Sequence, residues 1–146
     1  MNKLLVTLGI FFTCMASAVL AQNNSNKPAV KYKTQELTVA QVDQWLAKSD
    51  QILVIDIRRP DELITYGSFP VFLSVQFSDL EKNIAYIPKE RSIITVSNRA
   101  NRAFAAGDLL SSKGFNVIGA AGSENYEQQG GKAVTKIQKP APKPAQ

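Results

Sequence analysis

The sequence predicts an α/β fold with a central, mainly parallel sheet and helices on both faces. Three observations carry this. Short continuous apolar runs rich in β-branched residues occur at Ile52-Leu53-Val54-Ile55, Ser92-Ile93-Ile94-Thr95-Val96 and Asn116-Val117-Ile118, the pattern of strands buried on both sides. Segments with helical spacing and helix-end signals lie between them. Strands therefore alternate with helices, as crossover-linked parallel sheets require.

Each element has its own reason. Thr38-Val39-Ala40-Gln41 is a capping box, with Val39, Val42, Trp45 and Leu46 on one helical face behind it. The run Ile52 to Ile55 is the first strand and ends at Asp56. Pro60 to Tyr66 suits a short helix, with Pro60 in the first turn and Gly67 as the stop. Phe72 to Phe77 reads as a second strand, and Ser78-Asp79-Leu80-Glu81 as a second capping box opening a helix to about Ile84. The strand Ser92 to Val96 leads into a loop starting at Ser97. A helix from Arg102 to Lys113 follows, with Ala103, Ala106, Gly107 and Leu110 on its packed face and Gly114-Phe115 as its C-terminal stop. The last strand is Asn116 to Ile118. Gly122-Ser123 then turns into a short helix through Tyr126, ended by Gly130-Gly131.

These elements make one domain over residues 36–131. Residues 1–21 read as a secretory signal peptide. Lys3 supplies the positive start, Leu4 to Phe12 the apolar stretch, and Val19-Leu20-Ala21 the small residues before a cut at Gln22. The protein is then exported, periplasmic or secreted, with no membrane span after cleavage. The rival readings are an uncleaved anchor, because Leu4 to Leu20 carries no charge, and a lipid anchor on Cys14. Residues 22–35 form a polar, flexible lead-in, and residues 132–146 a Lys/Pro-rich tail. The formal net charge of +5 is concentrated in those ends. No aromatic residue interleaves with the lysines of residues 132–146, so nucleic acid is not an expected partner.

The chemistry is bounded by what is missing. The chain has one cysteine, Cys14, which leaves with the signal peptide, and no histidine. That removes the usual zinc ligand sets and the usual base for a nucleophilic serine. No G-x-x-x-x-G-K-[ST] phosphate loop occurs. Neither metal nor cofactor is expected. In a parallel sheet, ligands bind beyond the C-terminal strand ends, where Asp56 and Ser97 both stand. The loop Ser97, Asn98, Arg99, Ala100, Asn101 and Arg102 runs from a strand into a helix N-terminus. Backbone N–H groups and the helix dipole there can cradle an anion, with Arg99 and Arg102 adding charge. The plain alternative is an ordinary polar loop in which Ser97 and Asn101 satisfy helix donors.

Five stretches, in order, resemble the rhodanese-like family over about residues 36–130. Asp56-Ile57-Arg58-Arg59-Pro60-Asp61-Glu62-Leu63 looks like its D-x-R-x-x-x-E-[FY] signature. Gly67-Ser68-Phe69-Pro70 stands where G-H-I-P-G-A would be. Ser97-Asn98-Arg99-Ala100-Asn101-Arg102-Ala103 is similar to the C-R-S-G-N-R-S active loop. Leu109 to Phe115 resembles L-L-x-x-x-G-F, and Val117 to Gly122 with Tyr126 resembles V-x-x-L-x-G-G-x-x-x-W. The resemblance implies a three-layer rhodanese-like fold and an anion pocket shaped by the loop. It also implies that Ser97 occupies the position of the persulfide-carrying cysteine. A thiolate is accessible near neutral pH when dipoles lower its pKa; a serine hydroxyl is not and cannot hold a persulfide. Ser68, Val71, Ser123 and Tyr126 also depart from the motifs. The six-residue length of the loop from Ser97 to Arg102 favours a thiosulfate- or sulfate-like oxyanion over a phosphoester, as the resemblance implies.

Asp56, Arg58 and Glu62 admit two readings. Asp56 borders the pocket, or the three are scaffolding, with Arg58 paired to Glu62 and Asp56 fixing the neighbouring loop. The expectation for the whole is an exported, catalytically inactive domain that binds a small anion or a protein partner. Its alternatives are a non-covalent enzyme using the loop as an oxyanion cradle, and a scaffold protein with a vestigial pocket.

Overall fold

A computed structural model describes residues 32–70 and 72–136; the expected signal peptide and most of the lead-in and tail lie outside these. Among the described residues, four strands form one sheet: β1 (Ile52–Asp56), β2 (Phe72–Ser74), β3 (Ser92–Ser97) and β4 (Val117–Gly122). Their order is β2-β1-β3-β4, and every neighbouring pair is parallel. The helices are α1 (Val39–Leu46), α2 (Pro60–Tyr66), α3 (Leu80–Asn83), α4 (Asn101–Ser112) and α5 (Ser123–Gln128). Among the described residues no helix is long and apolar enough to cross a membrane.

Strand alternation sorts the apolar side chains into two cores. Ile52, Val54, Ile94 and Val96 pack with Val42 of α1 and Tyr126 of α5 on one face. Ile55, Ile57 and Ile93 pack with Leu80 of α3 and Ala106 and Leu110 of α4 on the other. A sheet covered on both faces needs apolar side chains in both directions, which is why β1 and β3 read as continuous runs rather than alternations.

Several local signals act as expected. Thr38 and Gln41 form the capping box: the Gln41 N–H donates to Thr38 Oγ1 at 3.3 Å and the Thr38 N–H to Gln41 Oε1 at 2.9 Å. Gly67 ends α2 with φ +72°, the left-handed region that an L side chain resists. After α4, the Phe115 N–H reaches back to the Leu110 carbonyl at 3.1 Å while Phe115 is buried, a Schellman-type end over Gly114.

Others differ. The second strand is three residues long, although the Val75 and Phe77 N–H groups still donate to the Asp56 and Ile57 carbonyls as the chain leaves the sheet. The capping box at Ser78 does not form. A 3₁₀ turn at Phe77–Asp79 precedes α3, and the Ser78 hydroxyl contacts Asp79 instead. The last strand runs four residues beyond Ile118, through Gly119-Ala120-Ala121-Gly122. Small residues are required there. A Cβ at Gly119 would stand 2.6 Å from the Leu37 side chain, and one at Gly122 would stand 2.9 Å from the Ala100 backbone nitrogen.

The folded unit also extends past the expected boundaries of 36 and 131. Before α1, Leu37 N–H and Gln35 carbonyl both bond to Ala120, pairing the entering chain with β4. Asp108 of α4 accepts from the Lys33 and Thr34 N–H groups and the Thr34 hydroxyl. Burial opposes the Asp108 charge, but those donors outweigh it and hold its pKa below the usual value. After α5, Ala133 and Val134 pack against the first core, and Thr135 exchanges two backbone bonds with Ser68. The Tyr126 hydroxyl donates to Asp43 and accepts from the Ala133 N–H, linking α5 to α1 and to this segment.

A chain ending at Gly131 loses that apolar packing and the Ser68 pairing. It should unfold in urea with about 2–4 kcal/mol less stability than a chain ending at Lys136. Equal midpoints would show that residues 132–136 add nothing to the fold.

Candidate functional site

Beyond the C-terminal ends of β1 and β3, a polar network builds the floor of a cleft. Its centre is Arg58, fully buried with Asp56. Arg58 Nε donates to Asp56 Oδ1 at 2.9 Å and Nη2 to Oδ2 at 2.7 Å, a bidentate pair. Nη2 also donates to the Gly67 carbonyl at 2.6 Å. Nη1 donates to Asn98 Oδ1 at 2.7 Å and to Ser123 Oγ at 2.9 Å. All five guanidinium N–H donors are thereby used. The Ser68 hydroxyl completes Asp56 at 2.6 Å.

Glu62 forms a second node. The sequence reading paired it with Arg58; the structure pairs it with Arg102 instead. Arg102 Nη1 lies 3.0 Å from Glu62 Oε2, and Nη2 bonds Oε1. Asn98 Nδ2 donates to Oε1 at 3.0 Å and the Arg59 N–H to Oε2 at 3.2 Å. Arg58 lies two residues after Asp56 at a strand end, so its guanidinium folds back onto that carboxylate. Glu62, in the first turn of α2, faces across to the start of α4. Hydrogen bonds from Arg102 hold the Glu62 carboxyl below its usual pKa, against the opposing effect of burial, and Glu62 in turn raises Arg102.

Asn98 joins the nodes. Its amide accepts from Arg58 and donates to Glu62, and its carbonyl accepts the Glu124 N–H at 2.9 Å. The loop then turns through Ala100, which is buried with φ +60°. Gly122 of β4 lies against this turn, and only a residue without Cβ leaves room for it.

The result is a cleft of about 300 Å³. Ser97, Asn98, Arg99, Asn101 and Arg102 line it; Ala100, the sixth expected residue, lies beneath. Tyr66 and Glu124 complete the wall, and neither was singled out from the sequence. Their distance along the chain from residue 97 hid them. Asp56 and Arg58 are buried behind the loop and do not line the cleft. The two expected cationic groups are already partnered: Arg102 by Glu62, and Arg99 by Glu124, with Nε 3.2 Å from Oε2. Ser97 is 1 % exposed where β3 leads toward twelve-residue α4; it lines the cleft, and its hydroxyl makes no hydrogen bond among the described residues.

No family model matches the sequence, and no curated protein matches it. Solved structures do match in fold. A rhodanese-related protein from Thermoplasma volcanium superposes with a TM-score of 0.60 at 23 % identity, over 68 % of this chain and 97 % of that one. A Rhodopseudomonas palustris protein of unknown function, described as a possible tyrosine phosphatase, gives 0.61 at 19 % identity, over 68 % and 84 %. A single-domain sulfurtransferase from Saccharomyces cerevisiae gives 0.56 at 18 % identity, over 70 % and 96 %. The chain has the rhodanese-like fold.

Replacing Arg58 by Met leaves Asp56 buried without its partner and should cost about 3–5 kcal/mol in urea unfolding. Adding Asp56→Asn should recover part of that loss; no recovery would mean that the pair is not what Arg58 supplies. The Glu62 pair has an acid signature. Its folded-state pKa is depressed, so its stabilisation is complete above the unfolded-state value and is lost as pH falls through the folded-state value. The stability gap between the wild type and Glu62→Gln should therefore narrow in acid, and a pH-independent gap would contradict this.

Proposed function

We propose that this protein is an exported rhodanese-like domain that binds a small oxyanion over residues 97–102 and does not transfer sulfur. The observation that carries the reading is Ser97. The residue is 1 % exposed, its hydroxyl makes no hydrogen bond among the described residues, and it lines the cleft that leads to α4. A hydroxyl that faces a cleft without a protein partner takes its hydrogen bonds from water or from a ligand there. The N-terminus of a long helix adds about half a positive charge at the same point. A tetrahedral anion answers both.

The denial of sulfur transfer rests on chemistry. Ser97 cannot carry a persulfide, and residues 22–146 contain no cysteine to replace it. The chain has no histidine to activate the hydroxyl as a nucleophile. Because Glu62 and Glu124 neutralise the two arginines, the attraction that remains comes from the helix end and hydrogen-bond donors, and modest affinity follows. Thiosulfate and sulfate are the preferred candidates. Export rests on the apolar segment ending at Ala21.

A thermal-shift titration with sulfate, thiosulfate, sulfite and phosphate tests the reading. The melting temperature should rise as sulfate or thiosulfate passes its Kd, reaching about 2.7 kcal/mol of added stability at 100 times Kd. Ser97→Ala should shrink the shift, and thiosulfate:cyanide transfer should stay at the no-protein rate. A flat titration with all four anions would make the pocket vestigial, and sulfur transfer above background would overturn the reading.

A further inference from the structure

Both guanidinium groups on the cleft wall have a carboxylate, but the two pairs differ in kind. Arg102 is bound to Glu62, which also holds Asn98 and the Arg59 N–H, so this pair belongs to the framework of the loop. Arg99 is 71 % exposed, and its one ion-pair contact is Glu124. Among the described residues that line the cleft, Glu124 is the only acidic one. Its main-chain N–H is fixed to the Asn98 carbonyl, and its side chain is only 19 % exposed, so this charge is held at the cleft while Arg99 reaches out to it.

We propose that Glu124 is the specificity-determining residue of the cleft: its carboxylate occupies Arg99 and opposes oxyanions in proportion to their charge. This rests on the oxyanion reading above and names which anions the site admits. Coulomb repulsion scales with the product of charges. One fixed carboxylate therefore opposes a tetrahedral dianion twice as strongly as a monoanion of the same shape. The same carboxylate withholds the one cation on the wall that is free to follow a ligand.

Isothermal titration of the full chain with sulfate and with methanesulfonate, at pH 7 and low constant ionic strength, separates charge from shape. A carboxylate about 6 Å from the anion in a water-like dielectric changes affinity about three-fold per ligand charge. Glu124→Gln should accordingly tighten sulfate about ten-fold and methanesulfonate about three-fold. Arg99→Gln alone, which leaves Glu124 uncompensated, should weaken sulfate more than methanesulfonate. Glu81→Gln removes the same charge at the distant Lys113 pair and should alter neither affinity. Equal gains for the two anions, or a matching gain in Glu81→Gln, would overturn the proposal. If wild type and Glu124→Gln bind sulfate equally, the role of Glu124 fails and the oxyanion reading stands. If neither protein binds either anion, both fail.

Discussion

A guanidinium removed from water loses strong hydration, and only a full set of acceptors in good geometry offsets that loss. Arg58 has such a set: two oxygens of Asp56, the Gly67 carbonyl, the Asn98 amide and the Ser123 hydroxyl. These acceptors come from the end of β1, the end of α2, the loop after β3 and the start of α5. One buried cation therefore fixes the relative positions of the four segments that surround the cleft. The segments cannot move independently without leaving a charge or a donor unsatisfied in a dry interior.

Because Arg58 is spent on this framework, the electrostatics of the cleft fall to other groups. Glu62 and Glu124 cancel the formal charges of Arg102 and Arg99. The N-terminus of α4 adds a partial positive charge beside these two ion pairs. The turn at the cleft depends on two small residues, Ala100 at positive φ and Gly122 packed against it.

Local signals made much of the fold legible. The runs at Ile52 and Ile93, the Thr38–Gln41 box, Pro60 and the Gly114–Phe115 stop each depend on interactions within a few residues. Signals failed where tertiary packing decided. Gly119 to Gly122 has weak strand propensity yet forms β4, because parallel pairing with Ile94 to Ser97 supplies its backbone partners, while Leu37 and the 97–102 loop leave no room for a Cβ at Gly119 and Gly122. Ser78 has the right spacing for a cap, yet a 3₁₀ turn takes its place. Residues 32–35 and 132–136 look polar and unstructured, but Asp108, Ala120 and Ser68 give their backbone groups partners.

The sequence by itself determined the α/β alternation, the location of the loop at residues 97–102, and the lack of cysteine and histidine residues in that loop. Residue identity and short-range spacing suffice for those conclusions. Only the tertiary structure decided which charges meet. Arg58 bonds Asp56 rather than Glu62, Glu62 bonds Arg102, and Glu124 reaches Arg99 across 25 residues of chain. Ion pairing depends on distance in space and on which groups are stripped of water, and neither quantity is written in the order of residues.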